Sequence, residues 1–161
     1  MKQVACTTDR FFGHECPRPI AATREIPRTA VKKIPLHVLV VDDEPLIRWS
    51  VTETLAGLGL DVEQADCAAS ALQALTTTAL PFDVIVLDLR LPDMNDLSLL
   101  ATIRQLLPET PVVLMTAYGT PEIMAAAHGL GVRGVLYKPF ELTELSRLVM
   151  GDPLRHTEAV P

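Results

Sequence analysis

The chain is 161 residues long, 48% hydrophobic and 21% charged, which is typical of one soluble globular domain with some additional tail. No apolar run approaches the roughly 18 residues that a membrane span needs, and the N-terminus lacks the apolar core of a secretory signal, so we expect a cytoplasmic protein without membrane association. Residues 1–35 carry seven Lys or Arg and three Asp or Glu, a charge of +4 within the total of −6, so the remainder carries −10. An acidic body of this kind argues against direct nucleic-acid binding.

The first segment, residues 1–35, contains four prolines and little periodicity. This pattern predicts a disordered or loosely attached extension, and a wrongly assigned start codon is the alternative. Cys6 and Cys16 flank His14, but no paired C-x-x-C or second histidine at ligand spacing accompanies them. Free thiols are therefore favoured over a metal site.

From residue 36 onward, short apolar runs alternate with helical patterns. The runs are typical of parallel strands with both faces covered, and they are Leu36–Val41, Leu60–Glu63, Phe82–Leu87, Val112–Met115 and Gly134–Tyr137. The helical patterns lie near residues 45–58, 67–79, 96–107, 120–129 and 141–149. Strict alternation implies right-handed crossovers. The sequence thus predicts an α/β fold over residues 36–150, a doubly wound (βα)5 three-layer sandwich with a five-stranded parallel sheet, and then a short tail over 151–161.

Two helix starts and one aromatic residue stand out in the helical patterns. Asp43 is predicted to cap the first helix with Pro45 in its first turn, and Thr120 to cap the fourth helix before Pro121. Trp49, the only tryptophan, lies off the apolar stripe of the first helix. It is predicted to be at least partly exposed for partner docking, unless the last helix or the N-terminal segment covers it.

Polar residues follow four of the five predicted strands, namely Asp42 and Asp43, Asp88, Thr116 and Lys138. Because the carboxyl ends of parallel strands converge on one crevice, these side chains are expected to form a charged pocket. Clustered carboxylates repel one another unless a hard cation such as Mg²⁺ neutralises them, and a lysine suits a phosphoryl oxygen. The pocket predicts phosphoryl transfer through an aspartyl phosphate. Taken one at a time, the same residues also fit helix caps, turns and surface charges.

Four motifs occur in order at residues 38–45 (VLVVDDEP), 88–92 (DLRLP), 115–119 (MTAYG) and 138–140 (KPF). Together they resemble the receiver domain of two-component response regulators, over about residues 36–149. The resemblance implies a flavodoxin-like fold. It also implies a phosphorelay response regulator that signals through protein contacts to an unknown downstream target. Because little sequence follows residue 149, we expect a stand-alone, single-domain receiver.

The resemblance also implies specific roles for the pocket residues. Asp88 would accept a phosphoryl group from a histidine kinase or a histidine phosphotransfer protein, and the chain would catalyse only its own phosphorylation and dephosphorylation. Mg²⁺ would bind Asp43, Asp88 and the backbone carbonyl of Arg90, while Asp42 would act largely through water. Lys138, with a cis peptide bond before Pro139, would hold the phosphoryl group, and Thr116 would move towards it to signal its presence.

Three positions depart from the usual receiver pattern. Val135 occupies a position where receiver domains commonly have an aromatic switch residue. The alternative function is therefore that of a degenerate receiver, which would act as a constitutive interaction module. Asp96 replaces a usual glycine. Arg90 and Tyr118 are large residues two positions beyond Asp88 and Thr116, and they predict a long-lived aspartyl phosphate because they could shield the phosphoryl group from water. A phosphatase or other α/β hydrolase is disfavoured because no phosphate-binding glycine loop or nucleophile pair occurs.

Overall fold

Strands and helices alternate throughout residues 35–151, the part of the chain that the computed structural model describes. The strands are β1 (His37–Val41), β2 (Asp61–Ala65), β3 (Val84–Asp88), β4 (Val112–Thr116) and β5 (Gly134–Tyr137). The helices are α1 (Pro45–Gly57), α2 (Ala68–Thr77), α3 (Ser98–Leu106), α4 (Pro121–Gly129) and α5 (Leu142–Met150). The predicted extension over 1–35, with its cysteines, and the predicted tail over 151–161 lie outside the described residues, apart from positions 35 and 151.

The five strands form one parallel sheet in the order β2-β1-β3-β4-β5. The chain moves outward from β1 to β2, then returns past β1 to β3 and continues in the opposite direction. The carboxyl ends of β1 and β3 therefore flank the point where the strand order reverses, which is where ligands bind in open α/β sheets. The predicted doubly wound (βα)5 architecture is confirmed.

Two apolar layers cover the two faces of the sheet. Leu39 and Val41 of β1 pack in one layer with α2, α3 and α4, whereas Val38 and Val40 pack in the other with α1 and α5. All four side chains are fully buried, because successive residues of a strand point to opposite faces and both faces carry helices. This two-sided burial explains why the strand is a continuous apolar run in the sequence.

The second strand is shifted from its predicted position. The prediction was Leu60–Glu63, whereas β2 spans Asp61–Ala65 and pairs with β1 from His37 opposite Asp61 to Val41 opposite Ala65. It lies at the edge of the sheet, and only Ala65 of its residues is buried. An edge strand tolerates polar residues, so hydrophobicity alone defines its ends poorly.

The predicted helix caps have different outcomes. The cap position of α1 is Glu44 rather than Asp43, and its side chain makes no capping hydrogen bond; the prediction for Asp43 was wrong because Pro45 itself is the first helical residue. The backbone N–H of Glu44 instead donates to Asp42 Oδ1 at 2.9 Å. Thr120 caps α4 as predicted, accepting a hydrogen bond from the Ile123 N–H at 3.4 Å.

Helix α2 begins with an arrangement that the sequence did not indicate. Cys67 and Ser70 form a reciprocal capping box, and Asp93 reaches across from the β3–α3 loop. Its carboxylate accepts hydrogen bonds from the Ala68 and Ala69 N–H groups at 2.8 and 2.9 Å. These two bonds lower the pKa of Asp93 below its ordinary value. The β3–α3 loop is thereby anchored to the start of α2.

The tryptophan of α1 is exposed, as predicted. Trp49 keeps 61% of its surface accessible, so the alternative that α5 covers it is wrong. The alternative that the N-terminal segment covers it lies outside the described residues. Helix α5 ends at Gly151, whose φ of 82° is a left-handed conformation that favours glycine at a helix end. None of the described helices is long and apolar enough to cross a membrane.

Candidate functional site

Polar side chains from four strand ends gather at the carboxyl edge of the sheet. Asp42 directly follows β1, Asp88 is the last residue of β3, and Lys138 directly follows β5. Thr116 ends β4, and its carbonyl accepts a hydrogen bond from the Lys138 N–H at 2.8 Å. The structure brings the two aspartates and the lysine into direct contact, as the strand-end argument predicts.

Lys138 is the centre of this cluster. Its Nζ donates to Asp88 Oδ2 at 2.6 Å, to Asp42 Oδ2 at 2.9 Å and to Glu44 Oε1 at 3.1 Å. Burial on its own lowers the pKa of the ammonium, but the hydrogen bonds to Asp88 and Asp42 outweigh it and raise the pKa well above the ordinary lysine value. Lys138 therefore stays charged at all physiological pH values. The peptide bond between Lys138 and Pro139 is cis.

Asp42 is completely buried, which makes it the most constrained acid of the cluster. Oδ1 accepts the Glu44 N–H and Oδ2 accepts Lys138. Its pKa is raised, mainly because burial disfavours the charged form, while the bonds from Lys138 and Glu44 act in the opposite direction. An acid of this kind needs a nearby cation to remain ionised.

Asp88 is 5% exposed and has two different oxygen environments. Oδ1 accepts a hydrogen bond from the Arg90 N–H at 3.0 Å, and Oδ2 contacts the Lys138 ammonium. A carboxylate with one oxygen fixed by the backbone and the other beside an ammonium is held in a defined orientation. This orientation is suited to a nucleophile that attacks an anionic group with an electrophilic central atom.

Asp43 completes a group of three acids with Asp42 and Asp88. One carboxylate oxygen from each lies within 4.8 Å of the others, and Asp43 is the exposed member. Three carboxylates with one side open to solvent match the oxygen-rich, incomplete sites that Mg²⁺ prefers. The donor set thus fits the predicted cation. The predicted part played by the Arg90 backbone carbonyl stays a prediction.

Thr116 is fully buried, and its hydroxyl is engaged locally. Oγ1 donates to the Tyr118 carbonyl at 2.9 Å and accepts the Tyr118 N–H at 3.2 Å. The structure does not join the Thr116 hydroxyl to the contacts that link Asp42, Asp88 and Lys138; Thr116 contacts Lys138 through its backbone carbonyl. Its predicted contact with a phosphoryl oxygen would require the hydroxyl to leave this turn.

Two large side chains contact each other across the loops that follow β3 and β4. The Arg90 guanidinium lies 5.5 Å from the centroid of the Tyr118 ring, within the range of a cation–π contact. Arg90 belongs to the β3–α3 loop and Tyr118 to the β4–α4 loop. The sequence indicated both as large neighbours of the pocket but did not indicate that they contact each other.

The structure also shows where the other residues that depart from the usual receiver pattern lie. Val135 is half-buried against the layer of α2, α3 and α4, and Tyr137 is 55% exposed. Asp96 Oδ1 accepts the Ser98 N–H at 2.8 Å, where α3 begins. Glu44 is the participant that sequence reasoning missed: it appeared within the acidic motif, but no contact with Lys138 was assigned to it.

A doubly wound sheet with an acidic triad at its switch point, and a lysine ammonium in contact with two of the acids, is the arrangement expected of a phospho-receiver domain. The model of the response regulator receiver domain family matches residues 38–150. The chain belongs to the response regulator receiver domain family, whose members act as phosphorelay receivers in two-component signalling.

Two curated relatives are larger regulators. The chain is 39% identical over 112 residues to the DNA-binding transcriptional regulator NtrC of Escherichia coli (strain K12), covering 70% of this chain and 24% of that protein. It is 40% identical over 111 residues to the response regulator protein PilR of Pseudomonas aeruginosa, covering 69% of this chain and 24% of that protein. The chain therefore spans about a quarter of the length of these relatives.

Solved structures of small receivers resemble the chain over nearly their whole length. A CheY-like receiver domain protein from Methanospirillum hungatei JF-1 has a TM-score of 0.69 at 25% identity, covering 73% of this chain and 93% of that one. The chemotaxis protein CheY4 of Vibrio cholerae has a TM-score of 0.66 at 30% identity, covering 75% of this chain and 100% of that one. These likenesses agree with the observed topology.

Proposed function

We propose that Asp88 accepts a phosphoryl group and that the resulting aspartyl phosphate is the signalling state of the protein. One observation carries this proposal: Asp88 lies at the switch point with its Oδ2 2.6 Å from the Lys138 ammonium. In the reaction, a carboxylate oxygen of Asp88 forms a bond to phosphorus while the bond between phosphorus and the donor breaks. The donor leaves with the bonding electron pair. Hydrolysis, with water attacking phosphorus, regenerates Asp88 and inorganic phosphate.

Lys138 and Thr116 are proposed to hold the transferred group. Phosphorylation removes the negative charge of the Asp88 carboxylate and places new charge on the phosphoryl oxygens, so the Lys138 ammonium is drawn towards them. Thr116 would exchange its hydrogen bonds with Tyr118 for one to a phosphoryl oxygen. The turn at Tyr118 then reorganises, which transmits the event to the β4–α4 loop.

Mg²⁺ is the proposed cofactor. Asp43, Asp88 and the Arg90 carbonyl would hold it, with Asp42 acting mainly through water. The ion would offset the charge of the carboxylates and of the phosphoryl group. The grouping of three carboxylate oxygens within 4.8 Å supports this assignment.

The proposed partners are a histidine kinase or a histidine phosphotransfer protein as donor and a further protein as target. The exposed Trp49 on α1, the helix that begins at the cluster, supports a protein contact near the site. Contact with nucleic acid by the receiver itself is not proposed, because the chain outside residues 1–35 carries a charge of −10. A stand-alone receiver, a cytoplasmic location and the lack of any activity beyond self-phosphorylation and self-dephosphorylation remain predictions.

A constitutive interaction module is the second candidate function. The aliphatic Val135, packed in the core layer where an aromatic switch is common, is the observation that favours it. The contacts among Asp42, Asp88 and Lys138 favour phosphoryl acceptance by Asp88 over this second candidate. A module without phosphoryl chemistry has no need to bury two carboxylates beside an ammonium.

Labelling with acetyl phosphate tests the proposed function and separates the two candidates. We expect the wild-type chain with Mg²⁺ to gain one phosphoryl group by intact mass spectrometry, and we expect EDTA or Asp88→Asn to abolish the gain. Asp61→Asn, which removes an exposed acid of β2, is the matched control and should label like wild type. Equal labelling of wild type and Asp88→Asn would refute the assignment, and no labelling of wild type would favour the constitutive module.

A further inference from the structure

The three contacts of Lys138 use all of its hydrogen-bonding capacity. An ammonium has three N–H donors and no acceptor, and the three oxygens within 3.1 Å of Nζ belong to Asp88, Asp42 and Glu44. A phosphoryl oxygen can bind Lys138 only if one of these carboxylates gives up its contact or shares it. The receiver chemistry therefore includes an exchange of partners on Lys138.

Glu44 differs from the other two acids in its exposure. Its side chain is 58% exposed, compared with 0% for Asp42 and 5% for Asp88. A buried carboxylate that loses its cation pays a large desolvation cost, whereas an exposed one is solvated by water. While Asp88 is still an ionised carboxylate, before phosphoryl transfer, Glu44 is therefore the acid that can be displaced at the lowest cost.

The local structure directs Glu44 to this contact. Its backbone N–H is fixed by Asp42 Oδ1, and its side chain makes no capping hydrogen bond although it occupies the cap position of α1. The side chain is thus available to Lys138 while its backbone is held beside the cluster. Asp42, Asp43 and Asp88 form the candidate cation site without it.

We propose that Glu44 is a positioning residue that occupies, in the unphosphorylated protein, a Lys138 N–H donor for which an incoming phosphoryl oxygen must compete. This inference rests on the proposed function of Asp88 and adds a competing internal anion to it. Glu44 keeps Lys138 ordered beside Asp88 before transfer, and its charge opposes the binding of an incoming anion. The incoming phosphoryl oxygen displaces the Glu44 carboxylate to solvent at the start of α1.

Titration with beryllium trifluoride, a phosphoryl mimic, at saturating Mg²⁺ tests this inference. Glu44→Gln removes the charge and keeps the length of the side chain, and we expect its Kd for the mimic to fall about two- to fivefold, the range of a partly exposed ion pair. The half-saturating concentration of acetyl phosphate should fall similarly, with little change in the maximal rate of labelling. Glu53→Gln, which removes an exposed acid from the same helix, should bind the mimic like wild type.

The outcomes separate this inference from the proposed function. If wild type binds the mimic and Glu44→Gln binds it equally or more weakly, the competition by Glu44 is wrong while the role of Asp88 stands. If wild type neither binds the mimic nor becomes labelled, the proposed function itself fails, and this inference fails with it. A merely structural role for Glu44 predicts weaker binding and slower labelling, the opposite of the expected change.

Discussion

At the scale of single residues, Lys138 is the cation that makes two buried carboxylates tolerable. Lys138→Met keeps most of the apolar stem but leaves Asp42 and Asp88 without an ammonium. We expect this variant to lose about 3 kcal/mol of unfolding free energy in EDTA, because breaking a buried ion pair strands the partner charge. Mg²⁺ should restore more stability to the variant than to wild type, since it supplies the missing positive charge. Urea unfolding with and without Mg²⁺ measures both effects.

A second substitution provides the control for Lys138→Met. Burial raises the pKa of Asp42, so the ionised form of that acid costs free energy in the folded protein once the ammonium is gone. Adding Asp42→Asn to Lys138→Met should therefore recover part of the lost stability at neutral pH, which a double-mutant cycle measures. Equal stability of wild type and Lys138→Met in EDTA would contradict the importance of this charge balance.

At the scale of elements, the start of α2 depends on a residue from another loop. Asp93 accepts two N–H groups of α2, and its pKa is lowered. An acid with a lowered pKa in the folded state stabilises the fold above its ordinary pKa of about 4, and this contribution is lost as the pH falls below that value. Asp93→Asn should therefore be less stable than wild type at pH 7 by urea unfolding.

The pH dependence distinguishes this contact from a general effect of charge. The stability difference between Asp93→Asn and wild type should be constant between about pH 7 and 5, and it should shrink below about pH 4. Asp61→Asn, which changes an exposed acid on the edge strand β2, should show little difference at any of these pH values. A difference for Asp93→Asn that persists unchanged in acid would mean that its carboxylate charge is not what stabilises α2.

The sequence predicted β1 well because its burial is two-sided, and it also predicted the edge strand β5 with its observed bounds. β1 is apolar at every position after His37 because helices cover both faces, so its residues identify it. The edge strand β2 was shifted because backbone pairing with β1, rather than side-chain burial, fixes its ends. The cap from Asp93 to α2 was missed because it joins residues that are 25 positions apart in the chain.

At the scale of the whole molecule, topology accounts for what could be predicted of the site. Asp42, Asp88 and Lys138 are far apart in sequence, but each follows or ends a strand, and parallel strands bring their carboxyl ends together. The contact of Glu44 with Lys138 and the turn between Thr116 and Tyr118 depend on side-chain rotamers. No spacing rule encodes these rotamers, so the sequence indicated which residues are present without indicating which of them touch.

We expect the lifetime of the phosphorylated state to depend on two loops together, the β3–α3 loop and the β4–α4 loop. Arg90 and Tyr118 come from different loops, and the Arg90 guanidinium lies 5.5 Å from the centroid of the Tyr118 ring in a cation–π contact. Because the two residues follow Asp88 and Thr116 by two positions each, we expect this pair to shield the aspartyl phosphate from attacking water. We expect this phosphate to persist well beyond seconds in Mg²⁺. Tyr118→Ala removes the aromatic partner of Arg90 and opens that approach, so it should shorten the half-life severalfold.

Tyr137→Ala supplies the matched control, because it removes the only other tyrosine, which is also exposed and is not the ring that Arg90 contacts. Loss of label after removal of the phosphodonor, followed by intact mass spectrometry, measures the half-life of each variant. A half-life of seconds in wild type, or equal half-lives in wild type and Tyr118→Ala, would contradict shielding by this pair. A shorter half-life in Tyr118→Ala alone would mean that residues outside the acidic cluster set how long the signal lasts, since the variant leaves Asp88 and Lys138 unchanged.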